Sequence, residues 1–230
     1  MQENSRWHTL ETGDDVAQAV CQRILEAAEQ AITEHGIFKL VLAGGSTPEK
    51  VYRLLGKAEV DWGKWFIYYG DERCLSEGHK DRNSVMATRA FLAHVAIPES
   101  QVFTIPAEFG PKLAADFYQN IVADALPFDM VLLGMGEDGH TASLFPGHQH
   151  DLEEWAHAVY DSPKPPLERV SLSVKALSTT QQLIFIVTGA NKQEAVQQWR
   201  SGQDLPVAII QSLKFVDIYM DKDAEPVGRV

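Results

Sequence analysis

Four short runs of consecutive apolar residues, each followed at once by a glycine-bearing polar loop, constrain this chain more than any other feature. The runs are Phe38–Leu42 (broken only by Lys39), Trp65–Tyr69, Met130–Leu133 and Leu183–Val187. Runs of this length with no alternation suit strands buried on both faces. Between them lie segments with helical apolar stripes. Asp14 to Glu34 carries Val16, Val20, Ile24, Leu25 and Ala28 among polar residues, and Pro48 to Leu55 follows Thr47, the expected N-cap. Further helices are expected over Asn83–Val95, Lys112–Ala125 and Asn191–Trp199, and further strands over Val102–Ile105, Val170–Val174 and Val216–Met220. Alternating strands and helices predict an α/β fold: three layers, a mostly parallel sheet with helices on both faces, Rossmann-like, as one domain over residues 1–230.

In such a sheet, ligands bind beyond the carboxyl ends of the strands. Those ends carry Gly44, Gly45, Ser46 and Thr47; then Asp71, Glu72 and Arg73; then Gly136, Asp138, Gly139 and His140; then Asn191 and Lys192. The fold would gather these loops at one crevice. The Gly44–Thr47 loop runs straight into a helix. It reads either as a capped turn or as an anion site, where glycine backbone and free helix N–H groups meet a phosphate. No GK[ST] ends it, so a nucleotide triphosphate loop is not supported. Lys192, in the first turn of its helix, opposes the helix dipole, so it reads either as a solvated surface lysine or as a residue with a task such as holding phosphate. Asp71, Glu72 and Arg73 read as a surface charge cluster or as groups that orient a sugar, with Arg73 facing developing negative charge.

His140 follows Asp138 and Gly139 on a strand-end loop, and an imidazole titrates near working pH, so it is the candidate base. Asp138 would hold the ring or touch the ligand. Gly134, Gly136 and Gly139 also satisfy G-x-G-x-x-G. That fingerprint belongs after a first strand and before a long helix, whereas here it follows a late strand and Pro146 and Gly147 interrupt what comes next. His148 and His150 form only an H-Q-H pair, without the spacing of a metal site, so no metal is expected.

The net charge of −12 argues against nucleic acid as partner, because phosphate backbones call for clustered Lys and Arg. It also means that a small anion must be held by local cations against an unfavourable field. No run is long enough for a membrane span and no apolar signal core opens the sequence, so a cytoplasmic protein is expected. The cysteines are two, Cys21 and Cys74. They match no disulfide framework or zinc spacing, and Cys74 beside Arg73 is either a plain half-buried thiol or one with a lowered pKa. The segment Asp161–Glu168, DSPKPPLE, holds three prolines and reads as a stiff surface loop.

The stretches VLAGGSTPEKVYRLL, YYGDERCLSEGHKDRNSVMATRAFL, LLGMGEDGHTASLFPGH and VTGANKQEAV resemble the 6-phosphogluconolactonases, whose relatives are the glucosamine-6-phosphate deaminase/isomerases. The likeness runs in order through roughly residues 40 to 200. It implies hydrolysis of 6-phospho-D-glucono-1,5-lactone in the oxidative pentose phosphate pathway, with no cofactor and no metal. It further implies His140 as the base for water and Arg73 as a contact near the reacting end. Gly44, Gly45, Ser46, Thr47 and Lys192 would form the phosphate and sugar pocket, joined by Arg169 and Asn83, with Gly139 in the same loop as the base. The deaminases carry a glutamate where this chain has Ser143, Leu144 and Phe145, and a tyrosine in place of Arg73. The alternatives are a deaminase-like sugar-phosphate enzyme, or a catalytically silent sugar-phosphate sensor. The expected partner is a small-molecule substrate, and the expected state is a monomer or weak homo-oligomer.

Overall fold

A computed structural model describes residues 5–148 and 153–226. In chain order the elements are β1 (Ser5–Leu10), α1 (Gly13–His35), β2 (Phe38–Leu42), α2 (Ser46–Leu55), β3 (Trp65–Tyr69), β4 (Asp71–Arg73), α3 (Asn83–Ala90) and α4 (Pro111–Ala125). They continue with β5 (Phe128–Gly134), β6 (Ala156–Val159), β7 (Arg169–Leu172), α5 (Val174–Ser178), β8 (Thr180–Val187), α6 (Gln193–Arg200), α7 (Pro206–Ile209) and β9 (Phe215–Asp221).

Six strands form one sheet in the order β1-β9-β8-β5-β2-β3, and every neighbouring pair is parallel. The apolar runs explain its centre. Met130, Val131, Leu132 and Leu133 of β5 point alternately to the two faces, yet each is at most 1% exposed, so both faces are covered. Helix α1 begins with a capping box between Thr12 and Asp15 and ends at Gly36, whose φ of 91° sits in the left-handed region. Its stripe of Val16, Val20, Ile24 and Ala28 packs on the sheet and on α2. From β2 the chain moves outward to β3, whereas from β5 it moves the other way to β8 and β9. The direction reverses between β2 and β5, which is where a crevice opens in such a sheet.

A second sheet, β4-β7-β6, is antiparallel and was not anticipated. Its hinge is Gly70, whose N–H donates to Leu42 O in the large sheet while its carbonyl accepts from Leu172 N–H in the small one. Asp71, Glu72 and Arg73 therefore lie in a strand, not in a surface loop. Helix α2 starts at Ser46, because Gly45 (φ 111°) turns the chain early and takes the N-cap position expected of Thr47. Helix α3 stops at Ala90 and gives way to a short 3-10 turn over Leu92–His94, well before Val95. Val102–Ile105 forms only a single bridge, Val102 to Ile67. Strand β7 starts one residue early at Arg169 and ends at Leu172, since Ser173 caps α5. Strands β1 and β6 carry no long apolar run and gave no signal of their own. No described helix is long and apolar enough to cross a membrane.

Candidate active site

The loop after β5 folds back on itself to present His140. Gly136 N–H donates to His140 O at 2.8 Å, Gly139 N–H donates to Gly136 O at 3.2 Å, and Thr141 Oγ1 donates to Gly134 O at 2.7 Å. The imidazole lies over Gly136 so closely that a Cβ there would stand 2.0 Å from Nδ1. Gly139 (φ 77°) packs against Leu205, where a Cβ would come within 2.9 Å. The G-x-G-x-x-G spacing thus serves to seat a histidine. Asp138 Oδ1 accepts from His140 Nδ1 at 2.5 Å and from its backbone N–H at 3.2 Å. With Nδ1 donating to a carboxylate, Nε2 is the basic nitrogen. Burial pushes the Asp138 carboxyl up, but the charge of His140 and its hydrogen bonds outweigh that and hold it below the usual value.

On β4, in the small sheet, Asp71 is 6% exposed and both of its oxygens are engaged. Oδ1 accepts from Asn83 Nδ2 at 2.9 Å and Oδ2 accepts from Ser143 Oγ at 2.6 Å. Asp71 thereby ties the start of α3 to the loop that carries His140. Asn83 in turn presses on Gly44, where a Cβ would meet Asn83 Oδ1 at 2.1 Å. Only glycine lets the β2 loop and α3 approach this closely. Glu72 is fully buried and caps α3, accepting from the N–H groups of Asn83 (2.7 Å) and Ser84 (2.8 Å). The surface-cluster reading of Asp71–Arg73 fails for this residue, whose carboxylate satisfies helix N–H groups.

The cations come from four segments of the chain. Arg73 ends β4, Arg169 begins β7, Lys192 stands at the N-cap of α6, and Lys164 projects from the proline-rich segment. Arg169 is held by carbonyls, its Nη2 donating to Lys164 O at 2.9 Å and its Nε to Pro166 O at 3.2 Å. Arg73 Nη1 donates to Asp81 O at 2.8 Å. Burial lowers the pKa of Lys192, with Glu137 opposing and Lys164 adding to the effect; burial also lowers that of Arg169, opposed by Asp71 and reinforced by Arg73. Cationic groups crowded together at a partly buried cavity, in a chain of net charge −12, form a site that favours an anion.

Gly44, Gly45, Asp71, Arg73, Asn83, His140, Arg169 and Lys192 all line one cavity of about 350 Å³ at the β2–β5 reversal, a size suited to a small ligand. Four expected site residues do not line it. Ser46 is exposed on α2; Thr47 Oγ1 bonds Thr188 Oγ1 at 2.6 Å; Asp138 stands behind the imidazole; Gly139 packs on Leu205. Lys164 and Pro165, which sequence reasoning left in a surface loop, do line it. The one hint was a lysine fixed between prolines five residues before Arg169. The lowered-pKa reading of Cys74 is overturned, because burial, with Glu168 and Glu72 nearby, pushes that thiol up to about 11. Among the described residues no group of three or more His, Cys, Asp or Glu could hold a metal ion. His150 lies outside the described residues.

Comparison with known proteins bears on this cavity. The family described as glucosamine-6-phosphate isomerases/6-phosphogluconolactonase matches residues 11–218. The probable chloroplastic 6-phosphogluconolactonase 4 of Oryza sativa subsp. japonica is 34% identical over 237 residues, covering 92% of this chain and 73% of that protein. The solved 6-phosphogluconolactonase of Thermotoga maritima superposes with a TM-score of 0.89 at 25% identity, over 95% of this chain and 100% of that one. The 6-phosphogluconolactonase of Trypanosoma brucei gives 0.86 at 27% identity, over 97% and 98%.

Proposed function

The chain belongs to the family of glucosamine-6-phosphate isomerases and 6-phosphogluconolactonases, and we propose that its cavity carries out the lactonase reaction with His140 as base. The protein is a lactone hydrolase acting on a sugar phosphate: 6-phospho-D-glucono-1,5-lactone and water give 6-phosphogluconate and a proton. One observation carries the mechanism: an imidazole oriented through Nδ1 by Asp138 shares a cavity with four cationic side chains.

Nε2 of neutral His140 takes a proton from water as the oxygen attacks the lactone carbonyl. General-base help of this kind contributes about 10² to 10⁴ in rate. Asp138 stabilises the imidazolium that forms. The carbonyl oxygen becomes an oxyanion, and Arg73 is the cation suited to meet it, a contribution on the order of 10² to 10³. Collapse expels the ring oxygen, which takes a proton from His140. The new carboxyl group ionises and releases the net proton. Lys164, Arg169 and Lys192, with the backbone at Gly44 and Gly45, hold the phosphate and fix the ring for attack. Asp71 and Asn83, bonded to each other, brace the two loops that flank the sugar.

All of these groups come from one chain, which fits a monomer or weak homo-oligomer. Cys21 and Cys74 are free thiols, which supports a reducing, cytoplasmic setting.

The test is proton release on adding freshly made 6-phosphogluconolactone, corrected for spontaneous opening. Lys192→Ala should raise KM for the phosphorylated lactone and leave turnover of glucono-1,5-lactone nearly unchanged. Equal losses on both substrates would remove Lys192 from the phosphate.

A further inference from the structure

A second concave site lies away from the catalytic cavity. It has a volume of about 420 Å³ and is lined by Arg53, Gly56, Lys57, Arg89, Ala90 and His94. Every ionisable side chain on its wall is basic. The two guanidiniums are drawn together by one carboxylate, since Glu49 Oε1 accepts from Arg53 Nη2 at 2.8 Å and from Arg89 Nη2 at 3.0 Å. Among the described residues Glu49 is the one acid within ion-pair distance of these four groups. Three permanent positive charges thus face a single negative one, in a chain whose net charge is −12. His94 is fixed on the rim, with Nε2 bonded to Arg89 O at 2.9 Å.

The bland account of these residues is helix-end electrostatics, because Arg53 and Arg89 sit in the last turns of α2 and α3. That account covers one cation per helix. It does not cover the addition of Lys57, from beyond the end of α2, to the same concavity. Nor does it explain why guanidiniums from two different helices meet on one carboxylate oxygen, which leaves three cations against a single acid at this concavity.

We propose that this cavity is a second anion-binding site, which takes a phosphate group between Arg53, Lys57 and Arg89. Its place in the fold separates it from the catalytic site. Helices α2 and α3 both run from the catalytic cavity, which their starts line through Gly45 and Asn83, to this one, which their ends line through Gly56 and Arg89. For α2 that is a span of about 15 Å. One ligand cannot fill both.

The test follows the imidazole resonances of the full chain during titration with inorganic phosphate and, separately, with glycerol 2-phosphate. His94 is assigned from the spectrum of His94→Asn, and His140 reports the catalytic cavity. The His94 signals should shift saturably with at least one of the two probes, and the tighter probe shows whether free phosphate or a phosphate ester is preferred. The doubly substituted Arg53→Gln, Arg89→Gln chain should bind about tenfold or more weakly at His94 and unchanged at His140. Lys57→Gln alone should weaken the same transition, which guards against misfolding of the double variant. His94 signals that stay still with both probes, or that shift equally in the variants, would overturn the site.

Discussion

Arg73 and Arg169 stand directly opposite each other across the β4–β7 ladder, so two guanidiniums share one face of the small sheet. Like charges in that relation are unfavourable by themselves, and an anion between them removes the penalty. Arg169→Gln should raise KM for the phosphorylated lactone by about 10- to 100-fold, the loss of a charge-assisted contact, with kcat within a few-fold of wild type. Steady-state kinetics decides it. A matching fall in kcat would assign Arg169 to the reacting end instead.

His140→Asn should lower kcat by about 10² to 10⁴ and leave KM nearly unchanged. The melting temperature should move little, since the ring is partly exposed at the cavity and the loop is held by backbone bonds. Turnover close to wild type would dismiss His140 as the base.

Two glycines are sterically obligatory. Gly136→Ala places a methyl carbon 2.0 Å from His140 Nδ1, and Gly44→Ala places one 2.1 Å from Asn83 Oδ1. Both should cost at least about tenfold in kcat/KM with the fold retained by circular dichroism, because misplacing catalytic groups by an ångström is expensive. Asn83→Ser, which shortens the colliding side chain, should recover part of the Gly44→Ala loss. It should do nothing for Gly136→Ala.

Asp217 predicts how stability depends on acid. It is 1% exposed and accepts from Arg6 Nε at 2.7 Å, from Arg6 Nη2 at 2.6 Å and from His8 Nε2 at 2.7 Å. Burial raises its pKa, but these bonds prevail and hold it below the usual value. The folded state therefore binds its proton less readily than the unfolded one. The resulting stability is complete above about pH 4, the unfolded value, and is lost as pH falls through the lower folded value. Asp217→Asn should cost about 2 kcal/mol at pH 7, and the gap to wild type should narrow below pH 4 in urea titrations. A gap that widens in acid would contradict the assignment.

What the sequence alone determined was every strand of the large sheet but β1, and the list of strand ends that meet at the cavity. Phe38–Leu42 and Trp65–Tyr69 were legible to the residue, because burial on both faces demands consecutive apolar side chains whatever their neighbours are. Glycine with polar groups after β2, β3, β5 and β8 marked the crevice, and His140, Arg73 and Lys192 came with it. Only the tertiary structure decided how those residues are employed. Glu72 became a buried helix cap, Asp71 a brace between two loops, Gly139 a packing residue, and Lys164 a wall of the cavity. The pairing of Arg73 with Arg169 lay equally out of reach. Strand periodicity is local, set by which face each side chain takes, whereas a cross-strand partner or a capped helix depends on segments about 10 to 100 residues away, and no local pattern encodes that choice.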